Sequence, residues 1–456
     1  MNVFKTAAVL AAALIIISGP GRVSLAMAAS STSLTGQTIA GGSPAALTLT
    51  LARAKQIALE NSPTLSAAKE NLVQAMETIR QARAEYLPTV ALTSSWDYDE
   101  KTDLSASSQE EAYTNTLSAT QVLFQGFYRK YNTLSAQYGQ KMSLESLADA
   151  KRTLIWSVSQ SFLNLQLASE NIRIAESDMA FNQDQLKEAE AKERLGTGSY
   201  SDVLNYKTKV NTAKAALIEA RQSYKEYGFG LAALMGYADA RLPDNTRIQA
   251  LATAEEAAEP EKRDADVDID TVLDTRTDLV VDDLAVRDAD ARINRARSDY
   301  LPTVSLTGGY GVSGAENLDG LDDSDNMGSS VGVSISFELF SGGAIRSSVR
   351  TVMSEKRELE ADRKDARITA VSEIRTALES VASARETLTL QAETTRLTGE
   401  TRDLVKKEYD AGQASLVRMN EAQNDLVAAE GDLADARVSL LLALEELDYY
   451  TGANTQ

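Results

Sequence analysis

Few side chains in this chain can do chemistry. Histidine and cysteine are both absent from its 456 residues. That removes thiolate nucleophiles, disulfides, Cys/His zinc sites, haem held by His or Cys, and the Ser-His-Asp triad. Carboxylates, lysines, tyrosines and hydroxyls remain. The densest group of hard-cation ligands is Asp319, Asp322, Asp323 and Asp325. Calcium takes carboxylate oxygens, but this spacing is not that of an EF-hand loop, and a solvated acidic loop accounts for the same residues. Gly309, Gly311 and Gly314 spell GxGxxG. They lead into that acidic loop and not into a helix, so no phosphate cradle is expected. Paired carboxylates suffice for acid–base catalysis, yet no βα alternation is visible that would hold a reacting pair in a pocket. The chain is therefore expected to be no enzyme and to use neither metal nor cofactor. Its formal charge of −20 also speaks against nucleic acid, whose binding rests on Lys and Arg neutralising phosphates.

The elements that must position these residues are duplicated. Lys5, the unbroken apolar run from Ala7 to Ile17, and Ala26-Met27-Ala28 as a small-x-small cleavage site predict a signal peptide over 1–28. A Ser/Thr/Gly/Ala-rich lead over 29–47 follows. No cysteine stands after the cleavage site to carry a lipid. No later stretch reaches about 18 apolar residues, so any membrane entry must be by strands or by surface binding. Beyond the lead, Ala84-Glu85-Tyr86-Leu87-Pro88-Thr89-Val90-Ala91-Leu92-Thr93 returns as Ser298-Asp299-Tyr300-Leu301-Pro302-Thr303-Val304-Ser305-Leu306-Thr307, a shift of 214. Leu123-Phe124-Gln125-Gly126 returns as Leu339-Phe340-Ser341-Gly342, Gly196 as Gly412 and Gly236 as Gly452, all at a shift of 216. Internal repeats decide architecture before local pattern does. The expected organisation is a first repeat over 48–240, an acidic Pro-containing linker over 241–264, and a second repeat over 265–452.

Each repeat predicts two strands and a hairpin of long helices. No proline lies between Pro88 and Pro243, or after Pro302, so long helices are permitted in both halves. After Pro88, Val90, Leu92, Trp96 and Tyr98 oppose Ala91, Thr93, Ser95, Asp97 and Asp99. After Pro302, Val304, Leu306, Tyr310 and Val312 oppose Ser305, Thr307, Gly309 and Gly311. Val331, Val333, Ile335, Phe337 and Leu339 continue the theme. Period two predicts strands at about 89–99, 113–124, 303–313 and 329–340, with polar loops over about 100–112 and 314–328. One apolar face and one small or polar face fits a membrane barrel with a wet lumen, and equally a half-buried hairpin in a soluble sandwich. Val158, Leu165, Ile172, Met179 and Leu186 recur every seven residues beside mostly small companions, and Ile374, Val381 and Leu388 answer them. A 3.5-residue period predicts coiled-coil packing within helical hairpins over about 128–235 and 344–449.

Four strands cannot close a membrane barrel, because the smallest have eight and an open edge in lipid leaves backbone groups unsatisfied. A membrane reading therefore requires two or three chains. At this point Tyr86-Leu87-Pro88 with Tyr300-Leu301-Pro302, the Leu-Phe-x-Gly pair, and Gly196 with Ser201-Asp202-Val203-Leu204 resemble the repeated signatures of TolC-type outer-membrane channel proteins over about 48–452. The resemblance implies an α plus membrane-β fold: a homotrimer whose twelve-stranded β-barrel in outer-membrane lipid stands on a long α-helical barrel crossing the periplasm of a Gram-negative cell. It implies docking to a periplasmic adaptor (membrane fusion) protein and an inner-membrane ABC or RND transporter. The chain would be the exit duct for type I protein secretion or for multidrug efflux, and the lack of a lipoprotein cysteine favours secretion. The resemblance also places a narrow entrance beside the helix-turn glycines Gly196 and Gly412. There Asp202 and Glu421 match entrance acids and Tyr409 matches a linking tyrosine. Arg418 stands where an acid is expected, and Ala414 where a linking arginine is expected. Arg418 is expected to pair instead with Asp202 or Glu421 across coils. Trp96 and Tyr98 fit interface-belt aromatics, while Tyr449 and Tyr450 carry no role readable in sequence. The rival classes are a periplasmic coiled-coil adaptor and a surface structural protein. The adaptor would need a single hairpin between compact β domains, and the surface protein would lack the repeated Pro-to-strand transition.

Overall fold

The computed structural model describes residues 47–103, 106–253, 268–315 and 327–453. The expected signal peptide, nearly all of the lead, the linker from 254 onward and the four loop aspartates lie outside these residues. The first repeat runs β1 (Leu47–Leu49), α1 (Leu51–Asn61), α2 (Pro63–Ala84), β2 (Thr89–Asp103), β3 (Ala106–Gln125), α3 (Tyr128–Arg194) and α4 (Tyr200–Leu234). A short β4 (Thr246–Ile248) pairs in parallel with β1, Leu47 opposite Thr246. The second repeat runs α5 (Ile269–Thr275), α6 (Thr277–Arg297), a 3-10 turn (Ser298–Tyr300), β5 (Thr303–Ala315), β6 (Met327–Ser336), α7 (Ala344–Asp410) and α8 (Leu416–Thr451). Both α3 and α7 have 67 residues, about 100 Å of helix at 1.5 Å per residue.

The strands form one antiparallel sheet in the order β2-β3-β5-β6. Its register places all four apolar sets on one side: Leu92 faces Leu117, Leu117 faces Tyr310, and Leu306 faces Val333. The other side carries hydroxyls and glycines, with Ser305 and Ser334 sharing a hydrogen bond of 2.8 Å. Among the described residues the apolar side is largely uncovered: Val331 is 82% exposed, although Val312 is buried. Two expected boundaries are corrected. Residues 100–112, expected as a loop, are mostly strand, with β2 running to Asp103 and β3 beginning at Ala106. Backbone pairing continues there after the apolar alternation has stopped, so the period-two signal fades before the ladder does. Conversely, β6 ends at Ser336 and not near 340, because its last partner, Thr303, is the first residue of β5 after Pro302. Among the described residues, the outer edges of β2 and β6 have no neighbouring strand.

Each long helix is flanked along its length by two shorter ones. In the first repeat α4 packs along one part of α3 and α2 along another. The end of α4 abuts the end of α1: a side chain at Gly236, whose φ is +80°, would stand 2.5 Å from the Asn61 carbonyl oxygen. Val158, Leu165, Ile374 and Val381 are fully buried, which places the heptad seam in the core. Phe162 anchors the largest apolar cluster with Leu165, Leu231, Met235 and Leu49.

A buried arginine joins the halves, and a second one braces the second half. Arg152 on α3 lies 2.5 Å from Asp149, donates to the Tyr449 carbonyl at 3.2 Å, and sits 4.6 Å from the Tyr449 ring centroid. Trp156 stacks on the same ring at 6.1 Å. Arg276 at the start of α6 reaches Asp278, Glu373 and the face of Tyr450. Tyr449 is thus the aromatic clamp between the repeats, while Tyr450 packs on Arg276 within the second.

Candidate functional site

The tips of the two helical hairpins carry the candidate site. Both turns are built alike. Gly196 N–H donates to the Glu193 carbonyl at 2.9 Å and Thr197 N–H to that of Lys192 at 2.9 Å; Gly412 N–H donates to Tyr409 and Gln413 N–H to Glu408 at 2.9 and 2.8 Å. This is the Schellman arrangement, which needs a left-handed residue just past the helix end. Gly196 and Gly412 meet that need with φ of +75° and +73°. Ser199 and Ser415 then cap the return helices, their side chains accepting from the N–H groups of Ser201 and Arg418.

The structure brings the two tips side by side within one chain. Tyr409 on α7 lies under Lys192 of α3, whose ammonium is 5.2 Å from the ring centroid. Its hydroxyl is near enough to that of Tyr206 on α4 for the two phenols to influence each other's titration. Tyr206 is 1% exposed, packed with Ala189 and Val203, and its hydroxyl also reaches Gln185 at 3.5 Å. Further along the seam, Asn420 donates to Asn205 at 3.1 Å, Lys209 to Asn424 at 3.3 Å and Gln423 to Asp178 at 2.9 Å. Arg402 lies 5.7 Å from the ring of Phe181.

Asp202 is half-buried in the first turn of α4, close enough to raise the pKa of Tyr409 electrostatically. Arg418 and Glu421 are exposed on α8. Among the described residues Arg418 meets neither Asp202 nor Glu421 within the chain, and only its backbone N–H is engaged, by Ser415. Asp202 and Tyr409 are therefore brought together, while Arg418 and Glu421 face outward. Sequence reading missed Tyr206. Its signal was present: an aromatic residue three positions after Val203, on the buried face of a helix whose other core residues are small or branched.

Burial holds the Tyr206 phenol well above the usual tyrosine range, with Tyr409 and the carboxylates of Asp202 and Glu188 adding to the shift. Burial also raises Tyr409. A raised folded-state value favours the protonated form, so this contribution to stability is complete below the free phenol's pKa of about 10 and is lost as the pH climbs above it. The tips should stay packed through neutral and mildly alkaline pH and loosen above about pH 10. Tyr206→Phe, which keeps the ring, should blunt that loosening, as read by tyrosinate absorbance and by protease cleavage at the tips. An identical alkaline profile in the variant would refute this.

Among the described residues no group of three or more carboxylates is placed to hold a metal ion, and no helix is long and apolar enough to cross a membrane. What the geometry offers is a long helical arm with a polar-zipped tip at one end and a two-faced sheet at the other.

Comparison with known proteins gives that architecture a context. The family model described as "Outer membrane efflux protein" matches residues 54–237 and 269–453, the two repeats. The outer membrane efflux protein BepC of Brucella suis biovar 1 is 24% identical over 454 residues, covering 100% of this chain and 92% of that protein. The alkaline protease secretion protein AprF of Pseudomonas aeruginosa is 25% identical over 416 residues, covering 87% and 83%. The crystal structure of the Campylobacter jejuni CmeC outer membrane channel superposes with a TM-score of 0.76 at 19% identity, covering 88% of this chain and 85% of that one.

Proposed function

Because this chain belongs to the outer membrane efflux protein family, whose members are outer-membrane channels and not enzymes, we propose that it is the exit duct of a tripartite export system. Three copies close its sheet into a twelve-stranded barrel. The helical hairpins form the periplasmic conduit, and a periplasmic adaptor and an inner-membrane ABC or RND transporter load it. One observation carries this reading: among the described residues, a four-stranded sheet with a largely uncovered apolar face, a hydroxyl-and-glycine face and two unpaired edges. In lipid such edges must be satisfied by other strands, and a polar inner face is what a water-filled barrel requires.

For the cargo, the reading is type I protein secretion, supported by the likeness to AprF over most of both chains. Drug efflux is the second reading, supported by the full-length likeness to a protein named for efflux. The entrance lies at the tips beside Gly196 and Gly412, lined by Asp202, Arg418 and Glu421, with Tyr409 linking the coils.

The test is the mass of the purified protein in detergent together with its single-channel conductance in planar bilayers. Three copies per particle and a small, charge-sensitive conductance are expected; a monomer that never inserts would overturn the reading. Cargo is separated in cells lacking the gene, by loss of a protein from the medium against loss of drug tolerance. Arg418→Ala should change the closed-state conductance and its cation preference, since it removes a charge from each copy at the narrowest point. Unchanged conductance would take Arg418 out of the entrance.

A further inference from the structure

The sheet carries an uncharged band between two oppositely charged edges. Residues 89–96, 112–122, 303–312 and 327–336 hold no Asp, Glu, Lys or Arg. These runs of eight to eleven residues measure about 26–36 Å along the strand at 3.3 Å per residue. Tilted, they match the lipid-facing band of a barrel, about 25 Å tall. Past the band on the side away from the helices, residues 97–111 hold six acids and one lysine. At the opposite edge, where strands meet helices, the charge reverses. Residues 80–88, 123–131, 295–302 and 337–350 hold eight cations against three acids, in a chain whose formal charge is −20.

The duplication writes these cations twice. Arg83 returns as Arg297 at the shift of 214, and Lys130 as Arg346 at the shift of 216. All four are exposed. Among the described residues none of the four is paired with a carboxylate; Lys130 lies 5.6 Å from the Tyr131 ring centroid, and Arg297 donates to Asn294 at 3.5 Å. Helix stability does not place them, since Lys130 and Arg346 stand in the first turns of α3 and α7, where a cation opposes the helix dipole. A fifth cation is fixed in position. Arg129 donates to the carbonyls of Glu85 and Leu123 at 3.2 and 3.1 Å, with its guanidinium 5.0 Å from the Tyr86 ring centroid.

Apolar bodies surround these charges. Tyr86, Leu87, Phe127 and Phe340 are exposed. Phe127 stands edge-on to Phe124 at 5.5 Å, and Phe124 pairs with Val304 on the apolar side of the sheet. The aromatic groups thus continue the side that meets lipid. Aromatic rings and the stems of Lys and Arg lie along acyl chains at a membrane boundary, while their cationic heads meet phosphates.

We propose that this basic-aromatic collar binds anionic phospholipid headgroups of the periplasm-facing leaflet and so fixes the depth at which the barrel sits. This rests on the barrel reading above and goes beyond it by assigning a lipid class and the residues that select it. The acidic far edge repels the same headgroups, which gives the preference a side.

The test uses the full-length protein, reconstituted into vesicles of phosphatidylethanolamine with a minor share of phosphatidylglycerol and then extracted in mild detergent. The retained lipid should be enriched in phosphatidylglycerol by about fivefold over the vesicle, the factor that one Lys or Arg contributes near an anionic surface. Enrichment should vanish near about 1 M salt, where the screening length is about 3 Å. Arg83→Ser, Lys130→Ser, Arg297→Ser and Arg346→Ser combined should return the ratio to that of the vesicle. Lys187→Ser with Lys207→Ser, exposed on the helical arm, should leave it enriched. The proposal is overturned if the wild-type ratio equals that of the vesicle, if enrichment survives high salt or the four substitutions, or if the arm variant loses as much. Displacement of the lipid by inorganic phosphate would mean a site for free phosphate and would overturn it too. The salt comparison uses the wild type alone, so it decides even if the combined variant misfolds. A wild-type protein that never inserts into vesicles would instead remove the barrel reading, so the two failures are distinguishable.

Discussion

Gly311→Val should all but eliminate assembled channel from the outer membrane. Gly311 pairs with Thr116 across the β3–β5 junction that joins the two repeats into one sheet. A Cβ at this position would stand 2.1 Å from the Asn115 carbonyl oxygen and 2.7 Å from the Thr116 Cα. Both are backbone atoms of a paired strand, so no side chain can swing aside. The ladder is already irregular here, with a register shift between Tyr113 and Asn115, and a bulge marks a place where strands come unusually close. Relieving the overlap means separating β3 from β5, at a cost of about 3 kcal/mol or more, which is roughly a hundredfold in assembled protein. Gly328→Val on β6 is the matched control, since its Cβ would meet nothing within 4 Å. The measurement is the heat-resistant oligomer in the outer-membrane fraction. Equal loss in both variants, or in neither, would refute the steric argument.

Phe162→Ala should be the most destabilising substitution in the helical arm. The ring, on α3, is 1% exposed and lies in one cluster with Leu231 of α4, Ala54 and Ile57 of α1, and Leu49 of β1, so it sits where three other elements meet its helix. Truncating such a ring removes its transfer free energy and leaves a cavity that three separate elements cannot all close. The expected loss is about 3–5 kcal/mol, seen as a fall of about 5–10 °C in the midpoint of the helical circular-dichroism signal. Asp184→Ala, on the exposed side of the same helix, should move the midpoint by less than about one degree. A Phe162→Ala midpoint within a degree of wild type would mean that the joint between α1, α3 and α4 repacks freely.

The architecture was legible in sequence because duplication writes it twice. Pro88 and Pro302 marked where helix gives way to strand, and the seven-residue spacing from Val158 and from Ile374 marked the buried seam. The strand limits were not legible. Near Ala106 the ladder outlasts the apolar alternation, and near Ser336 it stops because a partner begins after a proline. The tip was legible as a pair of glycine turns, and Asp202 and Tyr409 do come together there. Tyr206 and the Arg152–Tyr449 clamp were not, since each joins residues some two to three hundred positions apart and neither carries a periodicity. Arg418 reads in sequence as a partner for Asp202 or Glu421 across coils; within one chain, among the described residues, it is exposed and pairs with neither.

The butt joint at Gly236 has a mechanical meaning. Where α4 ends against α1, the neighbouring α3 runs on without interruption, so this discontinuity in one strand of the coil is bridged by intact helix beside it. Masons stagger their courses, and shipwrights scarf a mast, for the same reason. An arm of this kind has torsional stiffness over its whole length: a twist applied at the tip cannot be absorbed at the joint and must be delivered to the sheet about 100 Å away. The duct would then behave as a set of rigid levers, its entrance and its barrel coupled by leverage alone.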